Sequence, residues 1–147
     1  MSTQDNVAPG RDLYPYFERI TLRYADNDTN GHVNNASYYS FFDTAVEGFL
    51  THHQLRRTVT EQVRTLVVAS SCRYFREVAF PGYIDVGVRI ARMGNSSITW
   101  DLGVFTQDSD VTAAARGEFV IVCASPETGR PTSIPDVIRE QLLKLSA

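Results

Sequence analysis

The sequence predicts an α+β fold in which a five-stranded antiparallel sheet wraps around one central helix. A long helical pattern, with apolar residues spaced three and four apart, ends near residue 53. One run with the alternating period of a strand precedes it, and four such runs follow it. Because the helix is apolar over most of its circumference, it needs cover on more than one side, which a curved sheet supplies.

The chain order begins with a polar segment and a first strand. Residues 1–13 are polar, and we expect a mobile N-terminal segment there. A single domain is expected over residues 14–147, because a chain of 147 residues supports one core of ordinary size. Alternating apolar side chains predict the first strand over residues 16–25. After the helix, residues 54–62 are expected to form a connecting segment.

The second half of the chain is predicted to be strands separated by turn-forming residues such as Pro81 and Gly82. Asp85 and Asp101 occupy polar positions in two of these strands, so both carboxylates are expected to face solvent. A short helix is predicted over residues 137–145. The four strands are predicted over residues 64–75, 83–93, 96–107 and 111–124.

Composition argues against several classes of partner. The net charge is −3, from 14 basic and 17 acidic side chains, so no basic field attracts nucleic acid. The first residues lack the features of a signal peptide and no apolar run reaches spanning length, so no membrane partner is expected. Without an export signal, Cys72 and Cys123 are expected to be free thiols in a reducing cytoplasm. No spacing indicates a metal site.

The densest group of polar side chains lies between the first strand and the helix. Residues 26–35 hold two carboxylates, several amides and a histidine. Asn34 and Asn35 can cap a helix start, where unpaired N–H groups and a partial positive charge stabilise a developing oxyanion. An Asp beside such donors can attack a carbonyl carbon or activate a water. The loop therefore indicates hydrolysis of an acyl group.

At these residues the chain resembles a known family. A strand, the pattern D-x-D-x-x-G-H-V-N-N-x-x-Y and a hydrophobic helix resemble the hotdog-fold acyl-CoA thioesterases of the 4-hydroxybenzoyl-CoA thioesterase group. The spacing of Asp28, Asn30 and His32 is also similar to the catalytic loop of plant acyl-ACP thioesterases. The resemblance implies a hotdog fold, hydrolysis of acyl-CoA to free acid and CoA, and no cofactor. It also implies a homodimer or homotetramer with active sites at the dimer interface.

The resemblance also implies roles for individual residues. Asp28 occupies the second acidic position and would act as nucleophile or general base. Asn30 would orient that carboxylate or a water, and His32 would act as a base or donor. Gly31 would permit an unusual backbone conformation or a close ligand approach, and the Asn35 N–H would stabilise the oxyanion. Capping or loop-structuring roles remain open for Asn30, His32 and Asn35, as does the choice between an anhydride and a general-base mechanism.

Alternatives remain open for both the residue and the activity. Glu47 on the predicted helix is the rival catalytic carboxylate, because a second branch of hotdog thioesterases uses a helix carboxylate. A catalytically silent module that binds acyl-CoA is the alternative function. A hydroxyacyl-thioester dehydratase or hydratase is less favoured, because its histidine motifs are absent. The acyl type, CoA against acyl carrier protein, and the role of Glu77 stay open.

Overall fold

In a computed structural model of the protein, residues 7–107 and 111–146 are described. Two short 3-10 helices flank the first strand, at Arg11–Leu13 and Tyr24–Asp26. The α-helices and strands of this part of the chain are β1 Tyr16–Thr21, α1 Asn35–His52, α2 Arg56–Gln62, β2 Arg64–Tyr74, β3 Tyr83–Met93, β4 Ser97–Thr106, β5 Ala115–Ala124 and α3 Asp136–Leu145.

The five strands form one antiparallel sheet in the order β1-β3-β4-β5-β2. α1 packs against one face of this sheet, where Phe42 lies 5.7 Å from Phe119 and Phe49 lies 5.3 Å from Trp100, measured between ring centroids. We call this the helix face and the opposite one the outer face. The predicted α+β architecture, a five-stranded antiparallel sheet around a central helix, is confirmed.

α1 owes its position to a cap and an apolar surface. The Asn34 side chain accepts a hydrogen bond from the Ala36 N–H at 2.9 Å, which satisfies one donor of the first turn. Fully burying a large apolar side chain contributes about 2 kcal/mol, which holds the helix on the sheet. The buried side chains of α1 are Tyr38, Phe41, Phe42, Ala45, Val46, Phe49 and Leu50.

Three elements differ from the sequence expectation, and one of them is β5, which begins at Ala115 instead of residue 111. β1 ends at Thr21 instead of residue 25, because the Arg23 N–H donates to Asp26 Oδ2 at 2.7 Å and closes a 3-10 turn. The segment over residues 54–62 contains α2, whose Val59 is buried in the core. Its β-branched threonines and valine are weak helix formers, so tertiary packing outweighs local propensity there.

The outer face is more covered than the sequence indicates. Asp85 and Asp101 are only 6% and 4% exposed, so the expectation that both face solvent is wrong. Asp85 accepts hydrogen bonds from Arg11 and Arg19. The cause is the chain before β1, which crosses this face, together with arginine side chains that close over both carboxylates.

The expected mobile segment, residues 1–13, lies only partly within the described chain, since residues 1–6 are outside it. In its described part, the Pro9 carbonyl accepts a hydrogen bond from the Ala113 N–H at 2.8 Å, and Arg11 forms an ion pair with Asp85 at 2.9 Å. Cys72 and Cys123 are free thiols. Within the described ranges, no helix has the length and apolar character needed to cross a membrane.

Candidate active site

The loop between β1 and α1 is fastened to the segment between β2 and β3. The Val33 N–H donates to the Val78 carbonyl at 2.7 Å, and the Phe80 N–H donates to Asn27 Oδ1 at 3.1 Å. These bonds fix the loop at the N-terminal end of α1. A rigid loop at this position allows polar side chains to be held at defined distances from a substrate.

Inside the loop, Asp28 is the centre of a tight turn. Its N–H donates to the His32 carbonyl at 2.9 Å, and its carbonyl accepts from the Gly31 N–H at 3.1 Å. Its Oδ1 accepts the Asn30 N–H at 2.8 Å. Gly31 has φ +80°, a backbone conformation that residues with a side chain rarely adopt. A Cβ at this position would meet no other atom within 4 Å. The turn therefore needs glycine for its backbone conformation.

The two loop carboxylates have different surroundings. Asp26 is 1% exposed and accepts hydrogen bonds from Arg23. Burial alone would raise the pKa of Asp26, but the hydrogen bonds and charge of Arg23 outweigh it and hold that pKa below its usual value. Asp28 is half-buried, and among the described residues its Oδ2 receives no hydrogen bond. Asp28 is thus the carboxylate with a free oxygen.

A cavity of about 260 Å³ opens at the start of α1, next to this loop. His32 and Asn35 line it, whereas Asp28 and Asn30 are not in its wall. The structure therefore brings two of the predicted site residues to the cavity, with Asp28 and Asn30 in the adjoining turn. The lining residues are His32, Val33, Asn35, Tyr38, Tyr74, Phe75, Arg76, Glu77 and Val78.

The backbone N–H of Asn35 is available at the cavity wall. Asn35 is the first residue of α1, and no acceptor for its N–H exists among the residues that the structure describes. The next two N–H groups, of Ala36 and Ser37, are bonded to the side chain and carbonyl of Asn34. An unpaired donor at a helix N-terminus can hold a developing negative charge.

Glu77 is the site residue whose role sequence reasoning left open. His32 Nε2 lies 3.0 Å from Glu77 Oε2, and both side chains are accessible, at 40% and 75% exposure. Glu77 follows β2, at a point in the sequence with no periodic relation to the loop. The Arg76-Glu77 dipeptide just beyond a strand end was the only available signal.

Part of the cavity lining is aromatic, from Tyr38, Tyr74 and Phe75. Tyr38 and Tyr74 pack edge to face at 4.9 Å, and the Tyr74 hydroxyl donates to the Asn35 carbonyl at 3.4 Å. Burial, with a smaller contribution from Cys72, raises the pKa of Tyr38 to about 12. Burial also raises the pKa of Cys72 to about 11, so its thiol is protonated at neutral pH. Neither group is an activated nucleophile.

Glu47 lies elsewhere in the protomer. It is 12 residues from Asn35 along α1, which at 1.5 Å per residue is about 18 Å. Both of its carboxylate oxygens accept hydrogen bonds from Arg56 Nη1 at 2.7 Å. Within the described ranges, no group of three or more His, Cys, Asp or Glu residues is placed to hold a metal ion.

Comparisons with known proteins agree on one family. The family model of the thioesterase-like superfamily matches residues 22–142 of this chain. The PA5185 protein of Pseudomonas aeruginosa is 42% identical, with coverage of 96% of this chain and 98% of that one and a TM-score of 0.86. A thioesterase from Thermus thermophilus, crystallised with coenzyme A and Zn, is 27% identical, with coverage of 92% and 97% and a TM-score of 0.74.

One curated relative is the YsmA protein of Bacillus subtilis, 25% identical over 130 residues, which are 88% of this chain and 86% of that protein. The family match covers most of the strands, the central helix and the loop that holds the candidate site. The chain therefore has the hotdog fold and belongs to the thioesterase-like superfamily.

Proposed function

We propose that this protein is an acyl-CoA thioesterase that hydrolyses an acyl thioester to a free acid and CoA at the loop before α1. The observation that carries the proposal is the unpaired backbone N–H of Asn35, a residue that lines the cavity next to the loop of Asp28. A thioester carbonyl in this cavity would be near an oxyanion donor, the Asn35 N–H, and near the Asp28 carboxylate. Family membership supports the reaction class.

Asp28 starts the reaction as nucleophile or general base. The Asn30 N–H holds Oδ1 at 2.8 Å and thereby directs the carboxylate, which leaves Oδ2 for the reaction. Oδ2 either attacks the carbonyl carbon or removes a proton from the attacking water. In the first case an acyl anhydride forms, the CoA thiolate leaves, and water then hydrolyses the anhydride. In the second case water attacks directly. Both routes convert thioester and water to acid and thiol.

His32 and Glu77 support the step that involves water. Glu77 Oε2 lies 3.0 Å from His32 Nε2, and an imidazole whose proton is on Nε2, next to this carboxylate, has an unprotonated Nδ1. Nδ1 can then accept a proton from water, and the Glu77 carboxylate stabilises the imidazolium that results. The Asn35 N–H and the N-terminal end of α1 hold the carbonyl oxygen as it becomes negative.

The proposed active form is a homodimer or homotetramer of one hotdog domain over residues 14–147, acting in the cytoplasm. β2 is an edge strand of the sheet, and its consecutive apolar residues are 42%, 49% and 59% exposed at Leu66, Val67 and Val68. An exposed apolar edge favours pairing with a second chain. The coenzyme A bound to the Thermus relative supports CoA as the carrier of the acyl group.

The experiment is thiol release from short, long, branched and aromatic acyl-CoA thioesters. Asp28→Asn should lose about a hundredfold or more of the rate, on the scale of a lost base or nucleophile. Asparagine keeps an oxygen that accepts the Asn30 N–H, so the turn should survive. Asp12→Asn makes the same change at an exposed residue that does not line the cavity, and it should act like wild type. Equal rates for wild type and Asp28→Asn would refute the assignment and make Glu47 the next target.

The silent-module alternative has its own signature in the same experiment. A protein that binds an acyl-CoA, measured by calorimetry, but releases no thiol from any thioester of the panel is a binding module. In that case wild type, Asp28→Asn and Glu47→Gln would all bind the acyl-CoA and release no thiol.

A further inference from the structure

The hydroxyl of Tyr38 is a polar group that has no hydrogen-bond partner among the described residues. Tyr38 is only 3% exposed and lines the cavity of about 260 Å³ at the start of α1, which we call the active-site cavity. Its oxygen is not fully enclosed by protein atoms, so the small exposed part of the residue includes the hydroxyl. The hydroxyl is therefore accessible to a molecule bound in this cavity.

The position of Tyr38 on α1 relates it to the Asn35 N–H. Tyr38 is the last residue of the sequence pattern that begins at Asp26, but the proposed reaction gives it no role. It follows Asn35 by three residues, and residues three apart share one face of a helix. Long side chains of an α-helix point back towards its N-terminus. The Tyr38 side chain therefore runs along the cavity side of the first turn, towards Asn35.

Two aromatic neighbours hold the Tyr38 ring in place. Its centroid lies 4.9 Å from that of Tyr74 and 6.0 Å from that of Phe41, and both pairs are edge to face. The Tyr74 hydroxyl donates to the Asn35 carbonyl at 3.4 Å, so the tyrosine that packs on Tyr38 also contacts the first residue of α1. The Tyr38 hydroxyl and the Asn35 N–H thus belong to one packed unit. Donors fixed in this way need no reorganisation during a reaction.

The Tyr38 hydroxyl has the chemistry of a donor at neutral pH. Burial raises the pKa of Tyr38 to about 12, so its proton stays on the oxygen. A donor that is buried without an acceptor is unfavourable, and an acceptor that enters the cavity removes this cost. A charged acceptor forms the stronger hydrogen bond. A carbonyl oxygen that becomes negative therefore gains more from this hydroxyl than a neutral carbonyl does.

We propose that the Tyr38 hydroxyl is a second donor to the oxyanion, beside the Asn35 N–H. This inference rests on the proposed thioesterase function. When the carbonyl carbon is attacked, the new bond forms and the electron pair of the C=O π bond moves to the oxygen, where both groups donate hydrogen bonds. No proton leaves Tyr38. The pair then returns to re-form C=O, the C–S bond breaks, and the sulfur leaves with its electrons as a thiolate.

The first test compares thiol release from acyl-CoA thioesters by wild type, Tyr38→Phe and Tyr39→Phe. Phenylalanine keeps the ring and loses only the hydroxyl, so Tyr38→Phe should lower kcat about a hundredfold while KM stays nearly constant. Tyr39→Phe makes the same change at the next residue of α1, which does not line the active-site cavity, and should act like wild type. Thermal unfolding of both variants measures whether the fold is retained.

The second test needs no turnover. A ketone analogue of an acyl-CoA, with a methylene group in place of the thioester sulfur, has no leaving group and is not hydrolysed. The infrared stretching frequency of its isotope-labelled carbonyl reports hydrogen bonds to that oxygen, because each donor weakens the C=O bond. The frequency should be higher on Tyr38→Phe than on wild type, and it should be the same on Tyr39→Phe as on wild type.

The two tests distinguish failure of this inference from failure of the proposed function. If wild type releases thiol and Asp28→Asn does not, an unchanged kcat and carbonyl frequency in Tyr38→Phe overturn the second donor and leave the thioesterase. A lower kcat with an unchanged frequency also overturns it, because the hydroxyl would then act through the fold. If the analogue binds and its frequency depends on Tyr38 while no thioester is hydrolysed, the donor is supported and the thioesterase fails. An analogue that does not bind to wild type overturns the donor.

Discussion

Nε2 of His32 lies 3.0 Å from Oε2 of Glu77, although the two residues are 45 positions apart in the chain. This contact joins the loop before α1 to the segment after β2, which the hydrogen bond from the Val33 N–H to the Val78 carbonyl also holds together. A carboxylate on one imidazole nitrogen fixes the tautomer and directs the other nitrogen elsewhere. Glu77 thus has the position of a residue that acts through His32.

The first prediction concerns this pair. Glu77→Gln should lower kcat about tenfold or more while KM stays nearly constant, because glutamine cannot stabilise an imidazolium. Glu127→Gln, the same change in an exposed loop, is the control. In a His32→Asn background Glu77→Gln should have no further effect on kcat. If it lowers kcat equally in both backgrounds, Glu77 does not act through His32.

The second prediction concerns Asn34, whose side chain caps α1 and so fixes the position of the Asn35 N–H. Asn34→Ala should lower the free energy of unfolding by about 1 kcal/mol and the Tm by about 3 °C, because the Ala36 N–H loses its acceptor. It should also lower kcat more than it changes KM, since the first turn of α1 loosens. Asn34→Ser keeps a capping oxygen and should restore both quantities. A lower Tm with an unchanged kcat would show that the cap stabilises the fold but does not contribute to catalysis.

β3 and β4 could be predicted closely because their apolar residues alternate along much of each strand. The bounds of β3 equal the predicted ones, since Ile84, Val86, Val88 and Ile90 all face the helix and are buried. The position of the loop before α1 followed from the capping residues. α2 was missed, because its helix is stabilised by the burial of Val59 and not by its own sequence.

The segments that cover each face of the sheet could not be predicted from the sequence. Periodicity assigns a side chain to one face of a strand, but it does not show which distant segments pack against that face. Asp101 is buried because Tyr14, 87 residues earlier, crosses the outer face. The His32 to Glu77 pair has the same origin, a contact between distant segments with no shared periodicity. The free Asn35 N–H, by contrast, follows from helix geometry alone.

The third prediction tests the contact between Tyr14 and the outer face. A Cβ on Gly103 would lie 2.7 Å from Cε2 of Tyr14, whose ring is buried beside Phe17 and Phe105. Gly103→Ala should therefore destabilise the protein by about 1–3 kcal/mol in chemical denaturation. In a Tyr14→Ala background the same change should have a much smaller effect. Equal effects in both backgrounds would show that Tyr14 is not the obstacle.

The fourth prediction tests the proposed assembly. Wild type should have the mass of a dimer or tetramer in light scattering, and Val68→Glu should shift it to a monomer, because a charge on the edge strand opposes pairing. Val137→Glu makes the same change at an apolar residue of α3 that is 47% exposed, and should leave the mass unchanged. A monomeric wild type would contradict the proposal.

The fifth prediction concerns Asp101. Burial would raise its pKa, but hydrogen bonds and charges from Arg116 and Arg89 outweigh burial and hold the pKa below its usual value. Since the folded pKa is the lower one, this stabilisation is complete above the unfolded pKa of about 3.9 and is lost as pH falls through the folded pKa. Asp101→Asn should therefore destabilise the protein by about 3 kcal/mol at pH 7, because the half-buried Arg89 and Arg116 lose their charge partner.

The difference in free energy of unfolding between wild type and Asp101→Asn should stay constant from neutral pH to about pH 5 and shrink below about pH 4, since protonation removes the same charge from wild type. Denaturant titrations at each pH measure it, with Asp136→Asn as the control at an exposed helix start. A difference that stays constant down to the pH of acid unfolding would contradict the assignment, because Asp101 would then contribute through its shape and not through its charge.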